Sequence, residues 1–245
     1  MEKSRVLVVG GTGYIGRRIV KASLAQVHET YVLMRPEIGL DIDKLQMLLS
    51  FKAQGARLLE ASLDDHRGLV AAVKQVDVVV SAMSGVHFRS HNLHLQLKLV
   101  EAIKEAGNVK RFLPSEFGMD PARMGHALEP GRITFDEKME IRRAIEEGNI
   151  PHTYISANCF AAYFVPNLCQ MRTLLPPKEK VHVYGDGNVK GTDLANQVGI
   201  GHYYHIFYEG CLTNFDIRDD GEEEASLLYP EVQYTRMDEY MQRYL

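Results

Sequence analysis

A run of glycines close to the N-terminus has the spacing of a loop that binds the diphosphate of a dinucleotide. Gly10, Gly13 and Gly16 stand three residues apart, and Gly11 begins a G-x-G-x-x-G pattern with the last two. In such loops the first glycines allow a tight turn close to the phosphates, and the last lets a helix pack against a strand. A tight turn with no ligand is the alternative. The spacing predicts cofactor contacts through the whole loop, including the residues between the glycines: Thr12, Tyr14 and Ile15.

Arg35 stands where the second strand of a nucleotide-binding fold reaches the adenosine ribose, about twenty residues after the glycines. An NAD site has Asp or Glu there to accept from the 2′-hydroxyl, whereas a guanidinium can bind a 2′-phosphate in bidentate fashion. Lys44, early in the next predicted helix, could supply a second cation. The alternative for both residues is an exposed cation without a ligand. The sequence therefore favours NADP(H) over NAD(H).

Lys138 has a position on its helix that suits a general base. It shares a face with Thr134, Ile141 and Ile145, whereas charged residues take the opposite face. Burial disfavours the charged form of a lysine and lowers its pKa toward the range of a working base. A lysine that extends its amine past the helix into solvent is the alternative. Because Thr134 stands where short-chain carbonyl reductases have tyrosine, the Tyr-x-x-x-Lys pair is absent, which disfavours ketone reduction with a tyrosine acid.

The histidines and cysteines give no metal-ligating pattern. His87, His91 and His94 have helical spacing, but no cysteine or carboxylate completes a zinc set nearby, and we predict no metal. The cysteines are odd in number and lack metal-ligand spacing, and they predict reduced thiols in a cytoplasmic protein: Cys159, Cys169 and Cys211.

Apolar runs that alternate with helical patterns must position these residues. Runs at 6–9, 30–34, 56–60, 76–82, 109–113 and 153–156 predict six strands. Strands separated by helices in this way predict an α/β fold with a doubly wound parallel sheet of the Rossmann type. Ligands of such sheets lie beyond the carboxyl ends of the strands, which adds four predicted cofactor contacts: Ser81, Ala82, Asn158 and Phe160. An ordinary loop is the alternative for the last two.

The composition limits the classes of partner. The 245 residues are 45% hydrophobic, enough for one substantial core and a small second lobe. A formal net charge of −4 gives no footprint for nucleic acid or an anionic membrane. Nothing at the N-terminus has the pattern of a signal peptide, and no apolar run is long enough to span a bilayer. The predicted partner is a small molecule.

Five features in this order are similar to those of one family. They are the G-G-T-G-Y-I-G loop, Arg35, P-S-E-F-G at 114–118, Lys138 after T-F-D-E, and Y-G-D-G-N-V-K at 184–190. The chain thereby resembles the plant NADPH-dependent reductases of the isoflavone reductase and phenylcoumaran benzylic ether reductase type, an NmrA-like group of atypical short-chain dehydrogenases. The resemblance covers nearly all of 5–190 and resumes at about Gly199.

The resemblance implies an enzyme that opens benzylic ether rings of phenolic lignans with hydride from NADPH. It implies that Lys138 is the general base and that His202 protonates the leaving alkoxide or binds the substrate. It further implies an NADP-binding Rossmann domain over 1–152, a mainly substrate-binding lobe over 153–245, and a cytoplasmic homodimer. In the family several dozen residues follow the position of Lys190, and we therefore expect an interruption of this chain before Gly191.

Two other functions stay open at this point. The first is reduction of phenylcoumarans or isoflavones within the same family, which differs only in the residues of the substrate pocket. The second is a non-catalytic redox sensor that binds NADP on the same fold. A sensor has no need of a base, and the inward position of Lys138 argues against it.

Overall fold

A computed structural model of the protein describes residues 3–84, 93–160, 194–212, 215, 217 and 222–242. The chain divides into two compact units, Met1–Ser156 and Ala157–Leu245. The division that the resemblance implies, 1–152 and 153–245, lies four residues earlier. The assignment of these parts to cofactor and substrate stays a prediction.

The first unit contains a parallel sheet of five strands in the order β3-β2-β1-β4-β5. Val8 in the central strand lies opposite Val32 on one side and Val80 on the other, so the apolar runs at 6–9, 30–34 and 76–82 form the three inner strands. This confirms the predicted doubly wound α/β fold. The strands are β1 (Arg5–Val9), β2 (Glu29–Met34), β3 (Arg57–Glu60), β4 (Val78–Ser81) and β5 (Arg111–Leu113).

Helices follow the strands and cover both faces of the sheet. Leu7 and Phe112 belong to a core on one face, and Val8 and Phe51 to a core on the other. All four side chains are buried, and each contributes about 1.5–3 kcal/mol of burial free energy. The helices of this unit are α1 (Gly16–Ala25), α2 (Ile42–Ala53), α3 (His66–Val73), α4 (Gln96–Ala106) and α5 (Ile133–Glu147), with 3₁₀ segments at Pro36–Leu40, Leu93–Leu95 and Pro121–Arg123.

The predicted sixth strand at 153–156 is wrong. His152 makes an isolated parallel bridge to Phe112, and the Thr153 N–H donates to the Phe112 carbonyl. The chain then leaves β5, because the Ile155 carbonyl accepts from Phe117 and the Ser156 hydroxyl donates to the Gly118 carbonyl. The segment therefore joins the turn that follows β5 instead of the sheet.

The second unit is helical in its described part. It contains α6 (Leu194–Tyr203), a π-helix (Tyr204–Tyr208), α7 (Ala225–Leu228) and α8 (Met237–Met241). Val198, His205 and Cys211 are its buried side chains among the described residues. Over the ranges that the structure describes, no helix of either unit is long and apolar enough to cross a membrane.

Candidate active site

The glycine loop joins the carboxyl end of β1 to the start of α1. Gly10 has φ +79°, which favours glycine, and its carbonyl accepts from the Gly13 N–H at 2.9 Å. A Cβ at Gly10 would lie 2.6 Å from the carbonyl oxygen of Ala82, the residue after β4. The loop therefore turns tightly against the end of the neighbouring strand.

Gly11 and Gly16 allow the strand and the helix to approach closely. A Cβ at Gly16 would lie 2.1 Å from the Gly10 carbonyl oxygen, and one at Gly11 would lie 2.7 Å from Cγ1 of Val32. The Cβ at Gly16 would force the backbone apart, and the one at Gly11 would displace the buried side chain of Val32. These contacts are those expected of a loop that brings a helix N-terminus up to a diphosphate.

The start of α1 has the properties of an anion site. The cap residue Ile15 provides no side-chain hydrogen bond, and the first turn contains no acidic residue. Arg18 lies over the Tyr14 ring at 3.9 Å from its centroid and donates to the Tyr14 carbonyl, while Arg17 lies 5.5 Å from the same ring. Backbone N–H groups, the helix dipole and two guanidinium groups all favour negative charge here. The loop Gly10–Gly16, including Thr12, therefore fits the diphosphate of a dinucleotide.

The two predicted cations for a 2′-phosphate differ in their surroundings. Arg35 directly follows β2 and is exposed, and within the described part of the chain no carboxylate pairs with it. Lys44 pairs with Asp41, whose other oxygen caps α2 through the Lys44 N–H. The side-chain bond to Lys44 lowers the pKa of Asp41. Arg35 is therefore open to a phosphate, whereas Lys44 would have to exchange an exposed ion pair, which is a weak interaction.

Ser81 and Ala82 lie where the sequence predicts them, at the end of β4, but their surroundings differ. The Ala82 N–H donates to the Val9 carbonyl, and its own carbonyl borders Gly10. Ser81 is fully buried, and its hydroxyl oxygen has no hydrogen-bond partner among the described residues. The roles of Ser81 and Ala82 as cofactor contacts stay predictions.

Lys138 is buried, as the helical pattern predicts. Its side chain lies on the same inner face of α5 as Thr134, Ile141 and Ile145, and only 8% of the residue is exposed. Its Nζ donates to the Glu116 carbonyl oxygen at 2.6 Å. Burial lowers the pKa of Lys138 from its ordinary value. A neutral amine can donate one N–H to this carbonyl and still present a lone pair, which is what a general base requires.

The turn at 114–118 holds the partner of Lys138 at the carboxyl edge of the sheet. The Ser115 hydroxyl donates to the Met83 carbonyl at 2.5 Å, and the Ser115 N–H donates to Oε1 of the buried Gln96 at 2.9 Å. Met83 follows β4 directly after Ala82, which borders the glycine loop. The amine of Lys138 and the nucleotide loop therefore belong to the same edge of the sheet.

Sequence reasoning missed Gln96, Ser115 and the partners of Lys138. The side chain of Glu116 pairs with Arg142, one helical turn after Lys138, at 2.9 Å. A signal was present, since an arginine four residues after a predicted inward lysine must also lie near the inner face. Its partner, 26 residues earlier in the chain, could not be read from spacing.

The other predicted site residues belong to the second unit. Asn158 has φ +51°, and its side-chain amide donates to the Leu212 carbonyl at 3.4 Å. Phe160 is partly exposed, and His202 lies partly exposed in the last turn of α6. The roles of these three residues stay predictions. The junction of Lys190 and Gly191, where an interruption was expected, lies outside the described residues, and the sequence runs through it without a break.

The predicted absence of a metal also stays a prediction. His87 and His91 lie outside the described residues, and His94 pairs with Glu140. In the second unit His205, Glu209 and Cys211 bring their ligand atoms within 4.8 Å of one another. A hydrogen bond between His205 and Glu209 at 2.6 Å and a sulfur contact to the same carboxylate at 3.6 Å account for that proximity.

Comparison with known proteins agrees with this geometry. A family model described as the NmrA-like family matches residues 2–189. An isoflavone reductase homolog of Lupinus albus is 59% identical, and a bifunctional pinoresinol-lariciresinol reductase of Linum perenne is 57% identical, each with 100% of both chains covered. A solved structure of AtPrR2 with NADP+ and (+)pinoresinol is 53% identical over 100% of both chains, with a TM-score of 0.89.

The alignments also reveal a difference in length. The comparison with the Lupinus albus protein extends over 313 positions, whereas this chain has 245 residues. Several dozen positions of that relative therefore have no counterpart here. That these positions fall after Lys190, as the resemblance implies, stays a prediction.

Proposed function

Because the chain belongs to the NmrA-like family, we propose that it is an NADPH-dependent reductase of the pinoresinol-lariciresinol type. It opens the benzylic ether rings of lignans such as pinoresinol and lariciresinol. The observation that carries the mechanism is the buried amine of Lys138, bonded to the Glu116 carbonyl at the sheet edge that also forms the nucleotide loop. Relatives with these names, and the solved complex with NADP+ and (+)pinoresinol, support the substrate class.

The residues of the first unit hold the cofactor by three kinds of contact. The glycine loop and the start of α1 receive the diphosphate, Arg35 binds the 2′-phosphate, and Ala82 borders the groove at the end of β4. Lys44 also binds the 2′-phosphate if its ion pair with Asp41 breaks. NADPH, when bound, supplies the hydride that the benzylic carbon of the substrate takes up.

Lys138 starts the reaction by removing the proton of the 4-hydroxyphenyl group of the lignan. The phenolate releases electrons into the ring, and the benzylic C–O bond breaks to give a quinone methide and an alkoxide. Reduction of the benzylic carbon restores the aromatic ring as a phenolate, which takes its proton back from Lys138. The alkoxide takes a proton, which we assign to His202. Burial suits Lys138 for the first step, because a neutral amine accepts a proton and an ammonium cannot.

Two alternatives have specific observations in their favour. One relative is named an isoflavone reductase homolog, which supports a sister activity on isoflavones or phenylcoumarans. The shorter chain supports an NADP-binding sensor, because missing positions could remove part of a substrate pocket. A sensor would bind NADPH without turning over any of the three substrate classes.

The deciding experiment is incubation of the full chain with NADPH and racemic pinoresinol, followed by chiral chromatography. We expect lariciresinol or secoisolariciresinol to form with loss of one pinoresinol enantiomer. A phenylcoumaran and an isoflavone are run in parallel at the same concentrations. Faster turnover of either of these two would replace the proposal by the sister activity. NADPH binding with no turnover of any substrate would replace it by the sensor.

We also propose that the protein is a cytoplasmic homodimer. Within the described residues Cys159 and Cys211 are not joined in a disulfide, and the two thiols suit a reducing compartment. Leu227, Leu228 and Tyr229 are large apolar side chains exposed on and next to α7, and a second copy of the chain could cover them. Light scattering of the purified protein tests the dimer, and fractionation of plant tissue tests the compartment.

A further inference from the structure

A cluster of buried charges surrounds the guanidinium of Arg142 in the first unit. Its Nε donates to Oε1 of Glu116, and its NH1 pairs with Oδ1 of Asp120, both at 2.9 Å. The guanidinium also lies over the ring of Tyr154, 4.2 Å from its centroid. The side chains of Arg142, Glu116 and Asp120 are 11%, 4% and 11% exposed. One cation thus satisfies two carboxylates that come from the chain between β5 and α5.

Glu116 connects this cluster to the amine of Lys138. Its carboxylate binds Arg142, and its backbone carbonyl accepts from Lys138 Nζ at 2.6 Å. The next residue, Phe117, has φ +35°, a conformation that residues with a side chain rarely adopt. Such a turn persists only where surrounding contacts hold it. The bond between Arg142 and Glu116 is one of these contacts.

We propose that Arg142 is a positioning residue for Lys138: by binding the carboxylate of Glu116, it fixes the Glu116 carbonyl against the amine and prevents the carboxylate from pairing with that amine. The inference rests on the proposed function, because it assigns to Arg142 a task that matters only if Lys138 is the base. Arg142 itself touches neither substrate nor cofactor in this assignment.

The charges around Lys138 predict the direction in which its pKa changes when one of them is removed. Burial lowers the pKa of Lys138, the charge of Glu116 raises it, Arg142 lowers it and Asp120 raises it. Without Arg142 the carboxylate of Glu116 would lose its partner and Asp120 would keep only Arg123 and the Ala122 N–H, so more of the amine would be protonated at neutral pH. Three other titratable groups of this region have partners of their own. Arg123 lies 3.5 Å from Asp120, His94 pairs with Glu140, and Tyr154 donates to Glu146.

The first test compares Arg142→Gln with Arg143→Gln, which removes the same charge from the exposed face of the same helix. For Arg142→Gln we expect kcat/KM at pH 7 to fall by about tenfold or more, a part of the factor that a general base supplies. The acid limb of the pH profile should move to higher pH, and NADPH affinity should stay unchanged. Arg143→Gln should match the unmodified protein in all three measurements.

Glu116→Gln should shift the acid limb of the pH profile in the opposite direction. It also provides a second test of the inference if Arg142→Gln folds poorly. The glutamine keeps the backbone carbonyl and an oxygen that can accept from Arg142, but it removes the charge that raises the pKa of Lys138. Its acid limb should therefore move to lower pH. Arg142→Lys should recover the position of the limb better than Arg142→Gln, since it restores the charge. The assignment would be overturned if Arg142→Gln and Glu116→Gln both lost activity without a shift of the acid limb. It would also be overturned if the acid limb shifted in the same direction in both variants.

Lys138→Met separates failure of this inference from failure of the proposed function. If Lys138→Met retains activity, the proposed base is wrong, whatever Arg142 does. If Lys138→Met is inactive but the limbs of the Arg142 and Glu116 variants do not move, only the positioning role is wrong. NMR titration of the protein labelled with 13C at lysine Cε gives a readout independent of turnover. The Lys138 resonance, assigned by its loss in Lys138→Met, should titrate at higher pH in Arg142→Gln.

Discussion

Replacing Lys138 with methionine removes the proposed base with little change in shape. Methionine is similar in length and apolar, so it can occupy the inner face of α5 beside Thr134 and Ile141. The change deletes the lone pair that accepts the phenolic proton and the N–H that donates to the Glu116 carbonyl. It leaves the glycine loop and Arg35 untouched. The effect should therefore fall on the chemical step and not on binding of NADPH.

The expected magnitudes follow from these two losses. Loss of a general base lowers kcat by about 10²–10⁴-fold. The Glu116 carbonyl loses its donor, which costs about 1–3 kcal/mol, while the burial of an ionisable amine is relieved and offsets part of that cost. The variant should therefore fold with a free energy of unfolding close to that of the unmodified protein, and its defect should be catalytic.

The pH dependence of the free energy of unfolding gives an independent check on the burial of the Lys138 amine, because the direction of the change is fixed. Burial lowers the pKa of Lys138 in the folded state from its ordinary value of 10.5. Between the lowered pKa of the folded state and 10.5, the unfolded chain binds more protons than the folded chain. The free energy of unfolding therefore rises with pH across that interval. Lys138→Met lacks this rise. Relative to the variant, the unmodified protein should therefore gain stability as the pH increases in denaturant titrations.

The assay uses three proteins: the unmodified chain, Lys138→Met and Lys138→Arg. Arginine keeps a donor for the Glu116 carbonyl but cannot lose its proton, so it should be as inactive as methionine. Single-turnover reduction of pinoresinol with NADPH saturating gives the rate of the chemical step, and fluorescence of NADPH gives its affinity. Half of the original kcat in either variant would refute the role of Lys138 as the base.

Three further predictions test other parts of the site. Arg35→Asp should narrow or reverse a preference for NADPH over NADH, because a carboxylate repels the 2′-phosphate and accepts from a 2′-hydroxyl; equal affinity for both cofactors in the unmodified protein would contradict the assignment. Gly16→Ala should lower NADPH affinity by at least about tenfold, because its Cβ would lie 2.1 Å from the Gly10 carbonyl, whereas Gly125→Ala, which meets nothing within 4 Å, should not. NADPH deuterated at the transferred position should place one deuterium at the benzylic carbon for each ring opened, and the methyl ether of the phenol should bind without turnover; deuterium at another carbon or brisk reduction of the methyl ether would exclude the quinone methide.

Local patterns in the sequence were sufficient for the five strands of the sheet and for the tight turn of the glycine loop. The apolar run from Val6 to Val9 and the glycines after it depend on backbone requirements of adjacent residues, which spacing records directly. The inward position of Lys138 was also readable, because its face of the helix is fixed by its neighbours three and four residues away. These features are local, and the structure confirms them.

Features that depend on distant partners were not readable. The predicted strand at 153–156 had the right composition, but Ile155 and Ser156 bond to the turn at 117–118, and no local pattern records that choice. The ion pair of Lys44 with Asp41 is an exception, because an aspartate three residues before a lysine is a local pattern and a common helix cap. Ser81 had a suitable position, but its burial depends on how the sheet is covered.

The state of the Lys138 amine is the clearest case of a property that no short stretch contains. A helical pattern indicates that the amine is buried, and burial alone would leave a donor without an acceptor. The structure supplies the acceptor as a carbonyl, which can accept from a neutral amine, while the nearby carboxylates of Glu116 and Asp120 are bound by Arg142. A carboxylate released from Arg142 would favour the charged amine and raise the pKa of Lys138. The chemistry of Lys138 therefore depends on Arg142, which lies one helical turn away and binds different partners. A general base at this position requires both residues.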